Sequence, residues 1–196
     1  MKQDIILAGV GGQGILSIAT VIGAAATQQG LYLKQAEVHG MSQRGGDVQS
    51  NLRLSSDPIF SDLIPRGGAD LIVSLEPMEA LRYLPWLAPE GWIITNTVPF
   101  ENIPDYPPME NVLGELARLP RVIALDVDAL AKEIGSPRSA NMVLLGATAA
   151  VLDILDPEKL RDGIRRIFGR KGEAIVEANL KAFDAGIASA RKNNAQ

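Results

Sequence analysis

The chain has 196 residues, 46% of them hydrophobic, with 19 basic and 23 acidic side chains and a formal net charge of -4. That is too apolar for a disordered chain, and without a basic surplus no nucleic-acid partner is indicated. With no cysteine and a single histidine, disulfides, a thiolate nucleophile, a cysteine-ligated iron–sulfur cluster and a zinc site rich in His and Cys are excluded.

Residues 1–190 are expected to form a single domain, with a frayed polar tail at 191–196. Met1-Lys2-Gln3-Asp4 runs directly into apolar residues with no visible signal peptide. The apolar stretch from Gly14 is broken by Ser17, Thr20 and Gln28 before it could span a bilayer. A cytoplasmic protein without membrane contact is expected.

Ile5 to Leu7 reads as a buried strand, and Ile15, Leu16, Ile18, Ala19, Ile22, Ala25 and Ala26 fall at helical spacing. Between them lies Gly9-Val10-Gly11-Gly12-Gln13-Gly14. Strand, glycine turn and helix form the context in which G-x-G-x-x-G (Gly9, Gly11, Gly14) acquires meaning. Such glycines permit a tight turn and let a ligand lie on bare backbone, and the helix start favours a phosphate or carboxylate. A tight turn with no ligand fits the same residues.

Gly30 closes the first helix, and Leu31 to Ala36 restart as a short strand. Glu37 to Gly46 is a polar, glycine-punctuated loop. It precedes a strand in which Val48, Ser50, Leu52 and Leu54 alternate with Gln49, Asn51 and Arg53. That alternation suits a strand near a sheet edge, antiparallel to its neighbours. Ala69 to Leu75 is a continuous apolar strand. Glu76-Pro77 starts a helix with Met78, Leu81 and Leu84 inward, stopping at Pro85. Trp92 to Thr95 is the next strand, followed by a loop through Pro99, Pro104, Pro107 and Pro108. A helix near Val112 to Leu119 leads to the strand Val122 to Leu125.

The remainder is helical. Asp128 is placed as the cap of a helix ending at Gly135, and Asn141 to Leu155 reads as one buried helix. Asp156-Pro157 begins another, which runs to Gly169. The last spans Glu173 to about Lys192, with Ile175, Val176, Leu180, Phe183 and Ile187 inward. Alternating strands and helices imply an α/β fold: a three-layer α/β/α sandwich, Rossmann-like, with a mostly parallel sheet and at least one antiparallel strand. Its ligand crevice lies beyond the carboxyl ends of the strands, where the glycine turn opens.

Candidate chemistries narrow quickly. Gly9 and Gly14 copy the glycines of a Walker A loop, but Ile15-Leu16 stand where Lys and Ser/Thr belong. No G-x-S-x-G elbow exists for a serine hydrolase. A nicotinamide-dependent dehydrogenase needs an acid about 20 residues past the glycines, and Glu37 stands near that place, although no second domain remains for a substrate. Asp126 and Asp128 suggest a metal less well than a strand end followed by a helix cap. In the second loop, Arg44 offers a fork of donors to a carboxylate or phosphate, and Gly45 and Gly46 can turn backbone N–H groups toward the same anion. His39 titrates near neutrality unless perturbed. His39 and Arg44 could equally serve only to tie down the loop.

Together the glycine turn and Glu37-Val38-His39-Gly40-Met41-Ser42-Gln43-Arg44-Gly45-Gly46 give a family resemblance. The chain resembles the gamma-type subunit or domain of the 2-oxoacid:ferredoxin oxidoreductases, and within them the beta-subunit lineage of the indolepyruvate branch. Further matches are Ser50 to Arg53, Leu75 to Arg82, and Asn141 with Leu145-Gly146-Ala147; the resemblance runs from Ile5 to about Gly186. It implies oxidative decarboxylation of a 2-oxoacid, here an aryl pyruvate, to acyl-CoA with electrons passed to ferredoxin. It also implies a hetero-oligomer in which a large alpha subunit carries thiamine diphosphate, magnesium and the iron–sulfur clusters, while this chain binds none of these and is inactive alone. Coenzyme A is the co-substrate. The residues expected to face a coenzyme A or substrate group are Gly9, Gly11, Gly12, Gln13, Gly14, His39, Ser42, Gln43, Arg44, Gly45, Gly46 and Asn141. A free-standing NAD(P)-binding dehydrogenase and a non-catalytic ligand-binding or assembly module remain the alternatives.

Overall fold

The structure, a computed structural model, describes residues 1–39 and 45–193. Ser42, Gln43 and Arg44 lie outside the described residues, as does Gly40-Met41, and of His39 only the backbone position is described. The sheet has six strands in the order β2-β3-β1-β4-β5-β6. These are β1 (Lys2–Val10), β2 (Tyr32–His39), β3 (Asp47–Ser55), β4 (Ala69–Ser74), β5 (Leu87–Asn96) and β6 (Val122–Leu125). The helices are α1 (Ile15–Gln28), α2 (Pro77–Arg82), α3 (Met109–Ala117), α4 (Val127–Glu133), α5 (Ala140–Ala149), α6 (Pro157–Phe168) and α7 (Glu173–Asn193).

β1 is central, and Ile5, Ile6, Leu7 and Ala8 are fully buried. A strand covered on both faces has no solvent side, which is why its sequence is a continuous apolar run. Ile5 and Leu7 face the core under α1, α4, α5, α6 and α7; Ile6 and Ala8 face the smaller core under α2 and α3. The three layers follow from this division. β3 pairs antiparallel with both β1 and β2, while β1–β4, β4–β5 and β5–β6 are parallel. The alternating strand therefore sits one place in from the edge, and β2 forms the edge.

Several sequence boundaries shift for identifiable reasons. The helix expected over Asn141 to Leu155 ends at Ala149. Val151, Leu152, Ile154 and Leu155 are buried as expected, but in a turn whose backbone is satisfied by two distant glutamines. Gln3 pairs with the Val151 carbonyl and the Ile154 N–H, both at 3.3 Å. Gln29 pairs with the Ile154 carbonyl at 2.8 Å and the Asp156 N–H at 3.1 Å. The cap of α4 is Asp126, not Asp128; its carboxylate accepts the Ala129 N–H at 2.7 Å. In α2 the buried residues are Pro77, Glu79 and Ala80, followed by Tyr83; Leu81 and Leu84 pack half-buried against the same core. Ile175 lies outward in α7, 42% exposed, and its core face is Asn179, Ala182, Phe183, Gly186, Ile187 and Ala190.

α5 and α7 pack backbone to backbone. A Cβ on Gly146 would stand 1.9 Å from the Phe183 carbonyl oxygen, and one on Gly186 would stand 2.0 Å from that of Val143. That contact sets α5 against the rest of the helical layer and so fixes where Asn141, in its first turn and beside Gly14, is placed.

Candidate functional site

α1 follows β1 on one face of the sheet and α2 follows β4 on the other. The chain thus changes face between β1 and β4, and a crevice opens at the carboxyl ends of these strands. A cleft of about 300 Å³ lies there, lined by Gly12, Gln13, Asn96, Phe100, Arg138 and Asn141 among others.

The glycine turn is built differently from what its spacing suggests. Gly9 is inside β1, and a Cβ there would meet Gln13 Oε1 at 3.0 Å. The left-handed positions are Gly12 (φ 105°) and Gly14 (φ 85°). Room left at Gly9 lets the Gln13 side chain fold back, accepting the Val10 N–H at 2.7 Å and donating to the Leu75 carbonyl at 3.0 Å. Gln13 therefore braces the ends of β1 and β4 while lining the cleft. At the end of β5, buried Asn96 donates to Asp128 Oδ2 at 3.0 Å and accepts the Val127 N–H at 3.2 Å.

The two motifs meet. Gly11 donates its N–H to the Gly46 carbonyl at 2.8 Å, and Gly45 donates to the Gly11 carbonyl at 3.3 Å. These bonds continue the β1–β3 ladder past its last pair, Val10 with Asp47. Gly9, Gly11, Gly12, Gln13, Gly14, Gly45, Gly46 and Asn141 are thus gathered at one corner of the fold. Asn141 reaches it from α5, donating to the Gly14 carbonyl at 3.2 Å.

The electrostatics favour an anion on one side of this cleft. α2, α4 and α6 start with carboxylate caps from Glu76, Asp126 and Asp156. α1 and α5 have no side-chain cap and no acid in the first turn. Their positive dipole ends carry no compensating carboxylate, and Asn141, in the first turn of α5, reaches Gly14 at the start of α1. Arg138 lines the cleft there, and among the described residues it makes no ion pair. Asp128 also lines the cleft, its carboxylate accepting from Asn96, so a negative group is favoured toward Gly12, Arg138 and Asn141 and away from Asp128. Among the described residues no group of three or more His, Asp or Glu side chains could hold a metal ion, and no helix is long and apolar enough to cross a membrane.

Sequence reasoning missed the strap at residues 97–108. Asn102 donates to the Gly45 carbonyl at 2.8 Å, and the Tyr106 hydroxyl donates to Glu76. Its prolines announced a loop; nothing local announced what the loop would grip. Glu37 is exposed on the edge strand, accepting from Gln35 at 2.6 Å. With β3 inserted between β2 and β1, Glu37 is two strands away from the glycine turn, not beside it as a ribose-binding acid needs to be.

A mostly parallel sheet that changes face between β1 and β4, with an open crevice and two uncapped helix starts at that point, defines an α/β protein of the doubly wound kind. The pyruvate ferredoxin/flavodoxin oxidoreductase family matches it over residues 4–189. The chain belongs to that family and is a subunit of a 2-oxoacid:ferredoxin oxidoreductase. It is similar to the indolepyruvate oxidoreductase subunit IorB of Pyrococcus horikoshii, 37% identical with 98% of each chain covered. The protein of the same name from Archaeoglobus fulgidus is 37% identical over 95% of this chain and 94% of its own. Among solved structures it is similar to the 2-oxoglutarate:ferredoxin oxidoreductase of Magnetococcus marinus with 2-oxoglutarate, coenzyme A and succinyl-CoA bound. There the TM-score is 0.75 and the identity 26%, over 97% of this chain and 31% of that one. The chain thus matches a separate subunit in some relatives and one part of a longer chain in another, and these relatives are parts of multi-subunit oxidoreductases.

Proposed function

We propose that this chain is the cluster-free small subunit of a cytoplasmic indolepyruvate:ferredoxin oxidoreductase, and that it presents the Gly11–Gly14 and Gly45–Gly46 corner to an anionic group of coenzyme A. The complex converts an aryl pyruvate and coenzyme A to acyl-CoA and carbon dioxide, passing electrons to ferredoxin. A large partner chain supplies thiamine diphosphate, magnesium and the iron–sulfur clusters; a chain without cysteine has no thiolate to ligate a cluster.

The observation that carries the reading is the pair of bonds from Gly11 and Gly45, which join two motifs more than 30 residues apart in sequence, next to the cleft that Gly12 and Gln13 line. Full-length similarity to two indolepyruvate oxidoreductase subunits supports the substrate class. In this arrangement the chain's own residues bind and orient. The uncapped starts of α1 and α5, with Arg138 beside them, favour negative charge there.

The chain purified alone should show no indolepyruvate-dependent ferredoxin reduction, and co-expression with a large cysteine-rich chain should restore it. Within that complex, Arg138→Ala and Arg44→Ala should each raise the KM for coenzyme A by roughly 10- to 100-fold with assembly intact, the effect of losing one charge-assisted contact. Unchanged coenzyme A kinetics in both variants would remove the coenzyme from this corner. Nicotinamide reduction by the isolated chain would instead establish the dehydrogenase.

A further inference from the structure

The strap at residues 97–108 starts at the cleft and ends beyond it. Val98, Pro99 and Phe100 line the cleft. Asn102 then hooks the Gly45 carbonyl at 2.8 Å, and Tyr106 donates its hydroxyl to Glu76. Glu76 is a firm mooring. It is fully buried, caps α2 by accepting the Glu79 N–H at 2.8 Å, and offers its other oxygen to Tyr106. Burial and then the Glu76 carboxylate raise the ionisation of the Tyr106 phenol far above its ordinary value, so the hydroxyl remains a donor. At its near end the strap is held by Asn96, whose amide pairs with the Val98 carbonyl at 3.2 Å and N–H at 3.3 Å.

Thr97 still donates its N–H to the Leu125 carbonyl at the end of β6, at 3.0 Å; beyond it the segment is long and dense in proline, and among the described residues it belongs to no strand of the sheet. From there its route is set by these three side-chain moorings. The middle one falls on Gly45, the residue that also bonds to Gly11. A displaced strap would leave that corner with its two main-chain bonds alone.

We propose that Asn102 and Tyr106 are positioning residues: moored on Glu76, the strap clamps Gly45 against Gly11 and so sets the shape of the corner that receives coenzyme A. This rests on the reading that the corner meets the coenzyme. Neither residue touches the reacting atoms. Each acts through Gly45, Asn102 directly and Tyr106 by fixing the path that delivers Asn102.

The test uses the complex purified with its partner chain and compares Asn102→Ala and Tyr106→Phe with the parent. The second removes one hydroxyl only, so it keeps the test intact if the first folds poorly. Amide exchange at Gly11 and Gly45 should accelerate in both variants. The KM for coenzyme A should rise about three- to tenfold, the effect of one neutral hydrogen bond, while the KM for the 2-oxoacid and kcat stay within twofold. Asn102→Asp, which loses the donor, should behave as the alanine variant does, and Asn102→Gln should recover part of the affinity. Unaltered exchange in both variants would overturn the clamp and leave the coenzyme site standing on the Arg44 and Arg138 variants. Faster exchange with an unmoved KM for coenzyme A would show that the corner does not receive the coenzyme, and the positioning role would fall with it. A parallel loss in both KM values and kcat would mean general loosening and would overturn the proposal.

Discussion

The side chains of Gln13 and Asn96 converge on one acceptor, the Leu75 carbonyl, from 3.0 and 3.5 Å. Leu75 follows β4 directly, and the two amides arrive from the ends of β1 and β5. Strand ends at a sheet's carboxyl edge carry backbone groups that have run out of ladder partners. Here primary amides, which donate and accept at once, take over. Gln13 satisfies Val10 and Leu75, and Asn96 satisfies Val98, Val127 and Leu75. The cleft's floor is therefore held by side chains that do not depend on a ligand.

Removing such a brace should cost stability before it costs chemistry. Gln13→Ala leaves the Val10 N–H and one claim on the Leu75 carbonyl unmet, which should destabilise by about 1–3 kcal/mol. For a chain of this length that is a fall in Tm of about 2–4 °C per kcal/mol, readable by calorimetry. A variant as stable as the parent would mean that Gln13 does not brace the two strands.

Gly14 and Asn141 form a second pair that can be separated by mutation. A Cβ at Gly14 would lie 2.8 Å from Asn141 Nδ2, and the backbone there has φ 85°. Gly14→Ala should therefore carry both left-handed strain of about 1–2 kcal/mol and a contact with Asn141. In an Asn141→Ala background only the strain remains, so the double variant should be more stable than the sum of the two single effects. Additive losses would show that the two side chains do not press on each other.

Asp4 and Arg53 test the opposite end of the sheet. Asp4 is fully buried and accepts from Arg53 Nε and Nη2, each at 2.9 Å, and this pairing raises the ionisation of the guanidinium above its ordinary value. Arg53→Ala leaves a buried carboxylate with Lys2 as its remaining cation, and should lower stability by about 3–5 kcal/mol. Chemical denaturation reads this directly, and a loss below about 1 kcal/mol would place the pair among exposed, weak ones.

Glu79 gives a pH dependence of definite sign. Burial raises its carboxyl above the ordinary value of 4.5 against the pull of Arg82, and Glu76 and Asp47 push the same way. The native state then holds the proton to higher pH than the unfolded chain, so the contribution of Glu79 to stability is fully present below 4.5 and is lost as pH rises through the native value. Urea midpoints measured from about pH 4 to 8 should fall more for the parent than for Glu79→Gln. Parallel curves would show that Glu79 ionises as freely in the fold as outside it.

The elements were largely legible because their cause is local. The apolar run of β1, the alternation of β3 and the Asp156-Pro157 start of α6 each write their structure into adjacent residues. The turn after Ala149 was not legible, because what allows it to be buried without a helix is Gln3 and Gln29, more than 120 residues away. The same holds for the site. The glycine turn and the Gly45-Gly46 corner could be recognised as motifs, but that Asn102 and Tyr106 serve them depends on where a proline-dense loop lands. Gln13 stands out in the sequence as an amide inside a glycine turn, but its bracing of Val10 and Leu75 depends on where β4 ends and is not written in the turn itself.

The joint between Gly11 and the 45–46 corner uses peptide groups alone. Exchange of one residue type for another leaves such a joint in place so long as the backbone can still adopt its shape. What it cannot survive is a change in count, because one residue inserted or deleted on either side moves every peptide group out of line with its mate. Loops built this way can vary their chemistry widely while their length stays fixed.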